Sequence, residues 1–305
     1  DHTFATLFDL DAPLDAANAD LYYDRIAERL QTDAYRPRAL FERFGIEVIA
    51  TTESPLDDLR WHKAIAESGW SGRVVTAYRP DPVVDPDFEG FSANLDRLGE
   101  ISGCDTGIWQ GYLDAHRQRR DYFKSFGATS TDHGHLTADT ANLSAAEAEA
   151  LFDKVRTGKA DERERGLFRA QMLTEMAKMS GEDGLVMQIH PGSLRNHSPA
   201  MFAKFGRDKG FDIPTRTDYV RALKPLLDAV GTDPKVSVIL FTLDETSYAR
   251  ELAPLAGVYP ALKLGPAWWF HDSPEGMRRF REMTTETAGF YNTVGFNDDT
   301  RAFPS

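Results

Sequence analysis

The chain has 305 residues, 41% of them hydrophobic, and 35 Lys and Arg stand against 48 Asp and Glu for a formal charge of -13. A field of that sign repels phosphate backbones and anionic lipid, so nucleic acid and membrane surfaces are excluded as partners. The single cysteine, Cys104, excludes an intrachain disulfide framework and a multi-cysteine metal cluster, which fits a reducing, cytoplasmic compartment.

The front of the chain, Asp1-His2-Thr3-Phe4, has neither the basic start nor the apolar centre of a signal peptide, and it does not begin with Met. We therefore expect a chain cut or processed at its front. Residues 1–45 read as a helical lead-in, with two helices over Leu21 to Phe44.

Seven short β-branched or apolar runs follow: Ile46 to Thr51, Arg73 to Tyr78, Ala128 to Asp132, Leu185 to His190, Val236 to Thr242, Leu262 to Gly265 and Thr293 to Asn297. Each is read as followed by a helical pattern, and none alternates cleanly, as expected of parallel strands buried on both faces.

Helix signals between the runs are specific. Ser54-Pro55 with Asp57 predicts an N-cap and a first turn, and Gly69 a stop. Ser144-Ala-Ala-Glu147 predicts a capping box opening Ala145 to Val155, and Ser273-Pro274 opens Glu275 to Thr287. Met172, Met176 and Met179 recur at helical spacing on Glu164 to Met179 and read as core packing. Two connections are long: Pro80 to Gly103, and a helical insertion over residues 133–184.

Seven parallel strands are one short of a closed barrel. An open seven-strand sheet would leave edges exposed unless doubly wound, and the Gly-x-Gly-x-x-Gly turn of that alternative is absent. The expected fold class is α/β: a (β/α)8 TIM-type barrel over residues 1–305, one incomplete domain lacking its first strand and last helix.

In such a barrel the chemistry lies where strands end, so polar groups there carry weight. Asp298, Asp299 and Arg301 follow the last run, and a carboxylate there can bind a metal or remove a proton from carbon. A solvated turn with a salt bridge is the plain alternative. His190, with Arg195 close behind, ends the Leu185 run: the imidazole suits a metal, a proton shuttle or a structural hydrogen bond.

Arg79 follows the Arg73 run and suits a bidentate hold on a carboxylate, or an ion pair with Asp81 or Asp85. Asp132-His133-Gly134-His135 offers a His-x-His pair of the kind that turns produce by chance. Trp268 and Trp269 give flat apolar surface suited to a sugar face or to a core. No nucleophile elbow or phosphate loop is present.

These residues resemble one known family. Arg36-Pro-Arg-Ala-Leu-Phe, Thr76-Ala-Tyr-Arg-Pro-Asp, Ser130-Thr-Asp-His-Gly, Gln188-Ile-His-Pro-Gly-Ser-Leu-Arg-Asn, Leu264-Gly-Pro-Ala-Trp-Trp-Phe and Asp298-Asp-Thr-Arg-Ala-Phe stand in the order found in uronate isomerases, metal-binding barrels of the amidohydrolase superfamily.

The resemblance implies reversible aldose-ketose isomerisation of D-glucuronate to D-fructuronate, and of D-galacturonate to D-tagaturonate. It implies Asp299 as metal ligand and mover of the proton between C2 and C1, and Arg301 as the arginine near the enediol. It further implies Arg79 as the clamp on the substrate carboxylate and His190 as the fifth-strand histidine and metal ligand. Arg195 and Trp269 are expected against the substrate, and the cofactor is expected to be a divalent metal, zinc. A homo-oligomer acting on a small uronate is the expected assembly.

The family's His-x-His pair on its first strand has no counterpart before Leu21, so we expect the sequence to be trimmed at both ends. Two alternatives stand beside this reading. A metal-dependent hydrolase on the same barrel would often carry a histidine where the Val236 run ends, and Phe241-Thr-Leu-Asp244 stands there. A noncatalytic remnant that binds sugar acids is the other.

Overall fold

The computed structural model describes residues 2–207, 209–266, 268–271 and 273–295. Among them are eight strands: β1 (Val48–Glu53), β2 (Arg73–Tyr78), β3 (Ser130–His133), β4 (Val186–Ile189), β5 (Ser193–Leu194), β6 (Ile213–Pro214), β7 (Val238–Leu240) and β8 (Leu262–Leu264). Six form one sheet in the order β1-β2-β3-β4-β7-β8, and β5 and β6 pair antiparallel apart from it.

The pairings from β2 to β8 are parallel, with Tyr78 opposite Thr131, His133 opposite Ile189, Ile189 opposite Leu240, and Leu240 opposite Leu264. Parallel strands need a crossover between neighbours, and helices supply it each time. Six of the seven expected runs are these strands. Of the seventh, Thr293 makes a parallel bridge to Leu264, and Val294 N–H donates to Leu264 at 2.8 Å. Arg281 holds that start, bonding Thr293 Oγ1 and the Val294 carbonyl, while Asn297 lies outside the described residues.

Two compact units divide the chain. In the first, formed by the residues up to Ile49 with Trp61–Val75, helices His2–Phe8, Ala19–Leu30 and Pro37–Arg43 surround Phe8, Tyr35 and Leu40. The second, Ala50–Arg60 with the described residues from Thr76 to Gly295, holds the main core. Met172, Met176 and Met179 are buried there on helix Glu162–Asp183. The capping box forms as read: Glu147 accepts from Ser144 N–H at 2.9 Å, and Ser144 Oγ from Glu147 N–H at 3.4 Å, opening Ala145–Arg156. Ser273 caps Pro274–Ala288 through Gly276 N–H.

One expected cap is corrected. Ser54-Pro55 opens a turn, not a helix; the helix begins at Arg60, whose N–H bonds Asp58 Oδ1 at 3.1 Å. The reason is local: Ser54 Oγ and Asp57 Oδ1 accept from Leu56 and Leu59 amides, and Leu59, fully buried, takes a left-handed φ of 53°.

Behind β2 lies a buried polar layer. Arg120, wholly enclosed, forks onto Asp183 at 2.6 and 3.0 Å and bonds Ser180. Tyr78 and His116 share a hydrogen bond of 2.7 Å. Burial, with Arg120 nearby, depresses His116 to about 3. Its folded value lies below its unfolded one, so the unfolded chain takes the proton first as pH falls. We expect stability to fall by about 1.4 kcal/mol per pH unit from this group between roughly pH 6.5 and its folded value. Denaturant melts across that window, repeated for His116→Asn, check this: equal slopes in both proteins would refute it.

Among the described residues no helix is long and apolar enough to cross a membrane.

Candidate active site

Parallel register brings three strand ends to one place in the second unit. Residue Arg79 follows β2, Asp132 lies within β3, and His190 follows β4. In β3 the alternation of a strand sends Thr131 and His133 to a buried face and Ser130 and Asp132 to the other. His133 therefore turns away into the core, where its Nε2 meets Thr131 Oγ1 at 2.9 Å and burial holds it well below the usual imidazole range.

Asp132 joins the other two residues. One carboxylate oxygen lies 2.7 Å from His190 Nε2, the other 3.2 Å from Arg79 Nη1. Burial alone would raise this carboxyl, but His190 and then Arg79 outweigh it and bring it down to about 2. Asp132 accepts from His190 Nε2, which leaves Nδ1 as the second ring nitrogen. Nδ1 is buried and has no hydrogen-bond partner among the described residues. The ring packs edge-on to Trp268, centroids 5.2 Å apart.

Arg79 is held from a second side: its Nε donates to Asp81 Oδ2 at 2.8 Å. Asp81 also accepts, at 3.4 Å, from the N–H of Gly134 just past β3. A Cβ at Gly134 would lie 2.4 Å from Arg79 Nη2 and 2.8 Å from His190 Cε1, so the close approach of three strand ends requires glycine. The ion pair weighed for Arg79 thus exists.

An excursion carries the next residue. β5 and β6 form its neck, with helix Pro199–Phe205 between them, and Thr215 N–H closes on the Gly192 carbonyl at 2.9 Å. Arg195, in this excursion, pairs with Asp212 at 3.4 Å and lies 5.1 Å above the Trp269 ring. Trp269 in turn packs on Trp268 at 4.4 Å. Contacts therefore run from Arg195 through Trp269 and Trp268 to His190, which Asp132 joins to Arg79.

Asp299 and Arg301 lie outside the described residues. His133 and His135, whose rings are 6.2 Å apart, make no metal centre with a third ligand: among the described residues no group of three His, Cys, Asp or Glu side chains could hold a metal ion. His190 Nδ1 is a donor atom of the right chemistry for one ligand position. Sequence reasoning missed the joining role of Asp132, the closeness at Gly134 and the hairpin at the base of the excursion. The alternation in Ser130-Thr-Asp-His was the signal for the first; nothing local signals the others.

A family model described as glucuronate isomerase matches residues 3–305. The chain belongs to the glucuronate isomerase family. The uronate isomerase of Mesorhizobium japonicum is 79% identical over 305 residues, all of this chain and 65% of the relative. The crystal structure of glucuronate isomerase from Caulobacter crescentus superposes with a TM-score of 0.96 at 63% identity, covering 99% of this chain and 63% of that one. The uronate isomerase of Thermotoga maritima gives 0.90 at 26% identity, covering 99% and 66%. The chain thus spans about two thirds of the length of these glucuronate isomerase relatives. Its parallel strands and crossover helices are an α/β TIM-barrel-like fold.

Proposed function

We propose that this protein interconverts D-glucuronate and D-fructuronate, and D-galacturonate and D-tagaturonate, by moving a proton between C2 and C1. The observation that carries the reading is the 79% identity to a uronate isomerase along the whole chain. The joined strand ends of Arg79, Asp132 and His190 support it.

In this reading Arg79 holds the substrate carboxylate through the fork that suits it, and Arg195 with Trp269 contacts the sugar. Asp299 removes the C2 proton and returns it at C1. Arg301 stabilises the negative charge that develops on the enediolate oxygens, a role for preorganised positive charge. A divalent cation, zinc in our proposal, would be held by His190 and Asp299. When bound it would supply Lewis-acid polarisation of substrate oxygens. A homo-oligomer in the cytoplasm completes the proposal.

The test is to incubate the complete protein, loaded with zinc, with D-glucuronate and follow ketouronate by NMR. We expect product at equilibrium with the aldose. Chelation should remove both the activity and the bound metal measured by elemental analysis, and His190→Ala should lower metal content. Absence of ketouronate from both uronates would sink the reading.

A further inference from the structure

The Arg79 guanidinium stands between two carboxylates, and that bears on how it can recognise an anion. Asp81 takes Nε at 2.8 Å and Asp132 takes Nη1 at 3.2 Å, both carboxylates mostly buried. Among the described contacts, one guanidinium faces two carboxylates. A third anion arriving at Arg79 therefore meets little net attraction from this trio, and the surrounding chain is itself acidic.

The two partners have different duties. Asp132 also holds His190, so it belongs to the strand-end cluster already described. Asp81 makes no bond to His190, although its charge also acts on His135. It bonds Arg79 and the Gly134 amide, which ties the guanidinium to the backbone just past β3. A donor at Nε fixes rotation of the guanidinium about the end of its side chain. The plane of the fork is thus set before any ligand binds, while its charge is largely cancelled.

We propose that Asp81 is a specificity-determining, positioning residue: it makes Arg79 select a planar carboxylate by hydrogen-bond geometry and denies binding to tetrahedral oxyanions that would be held mainly by charge. This rests on the reading of Arg79 as the carboxylate clamp. A planar carboxylate matches a fixed guanidinium fork bidentately, whereas sulfate and phosphate profit chiefly from uncompensated positive charge. With Asp81 in place, that surplus is missing.

Two variants separate charge from orientation. Asp81→Asn removes the negative charge but retains an oxygen that can accept from Arg79 Nε; Asp81→Ala removes both. The complete protein is assayed with D-glucuronate at constant ionic strength, with sulfate as competitor, and sulfate binding is also titrated by isothermal calorimetry.

In Asp81→Asn we expect the ratio of the sulfate inhibition constant to the glucuronate KM to fall roughly tenfold, because an uncompensated charge attracts a dianion more strongly than the single carboxylate of the sugar acid. In Asp81→Ala we expect KM for glucuronate to rise roughly tenfold above that of the Asn variant as orientation is lost. A structural role alone would move stability without moving the ratio. An unchanged ratio in Asp81→Asn, or matching KM values for the Ala and Asn variants, overturns the proposal. If wild type converts no uronate, the functional reading fails; the sulfate titrations then decide the charge-cancelling role of Asp81 by themselves, tighter binding to Asp81→Asn supporting it and equal binding refuting it.

Discussion

Gly134→Ala is expected to lower kcat/KM for glucuronate by about a hundredfold, the cost associated with a misplacement of about 1 Å in a reacting site. The added methyl would stand 2.4 Å from Arg79 Nη2 and 2.8 Å from His190 Cε1, distances that no real contact of this kind tolerates. The guanidinium can swing aside, but only by loosening its bonds to Asp81 and Asp132. The imidazole has less freedom, since Asp132 and Trp268 hold it from two sides. Overpacking of this sort costs roughly 1–3 kcal/mol of stability, less than a domain of this size needs to unfold, so the variant should remain folded. Steady-state kinetics beside a circular dichroism melt would check it. A folded variant with wild-type kcat/KM would show that the spacing between Arg79 and His190 carries no catalytic demand.

Asp132→Ala is the second large effect. The substitution removes the only group that bonds both His190 Nε2 and Arg79 Nη1 among the described contacts, at a carboxylate with 15% of its side chain exposed. Breaking such a buried pair costs about 3–5 kcal/mol, because the surviving partner is left without its counter-charge. The pH dependence of the native protein carries the same signature. Held down to about 2 by His190 and Arg79 against the effect of burial, the Asp132 carboxyl is protonated in the unfolded chain before it is protonated in the native one.

Its contribution, on the order of 2 kcal/mol, is therefore complete above roughly pH 4 and is lost as pH falls through the folded value. That window lies below most of the one assigned to His116, so the two groups can be told apart. Chemical denaturation of wild type and Asp132→Ala at pH 7 and at pH 2.5 tests both parts: the difference between the proteins should shrink in acid. A constant difference would mean that packing, not the ion pairs, accounts for the loss.

How much of this was legible in the sequence follows from the physics of each element. Buried parallel strands need continuous apolar or β-branched runs, and six of seven runs became strands in the stated order. Capping is a local reaction between a side chain and an amide three residues on, so Ser144 and Ser273 were readable. Ser54 was not, since a tertiary demand overrode it: Leu59 must enter the core, and the left-handed turn that puts it there displaces the helix start to Arg60.

The site was readable as a set of strand ends and unreadable as a set of bonds. Arg79 and His190 follow β2 and β4, and Arg195 reaches His190 through the contacts of Trp269 and Trp268. That Asp132 would couple two of them, or that Gly134 leaves just enough room between them, depends on register across three strands. Residues 53 positions apart meet there, as Arg79 and Asp132 do, and no window of sequence contains that information. The proposed proton mover and enediolate stabiliser, Asp299 and Arg301, lie outside the described residues.

The excursion between Gly192 and Thr215 leaves and returns at one point, its two ends tied by a backbone hydrogen bond of 2.9 Å and by the short pairing of β5 with β6. Gly192, at φ 90° with Thr217 Oγ1 where a Cβ would be, fixes that point. A loop whose ends already meet can change length at a small entropic cost, about 0.6 kcal/mol for each doubling. The segment is thus an exchangeable cassette. Arg195 and the residues around it can be replaced together, as a unit of inheritance or of engineering, while the strand that ends in His190 keeps its register.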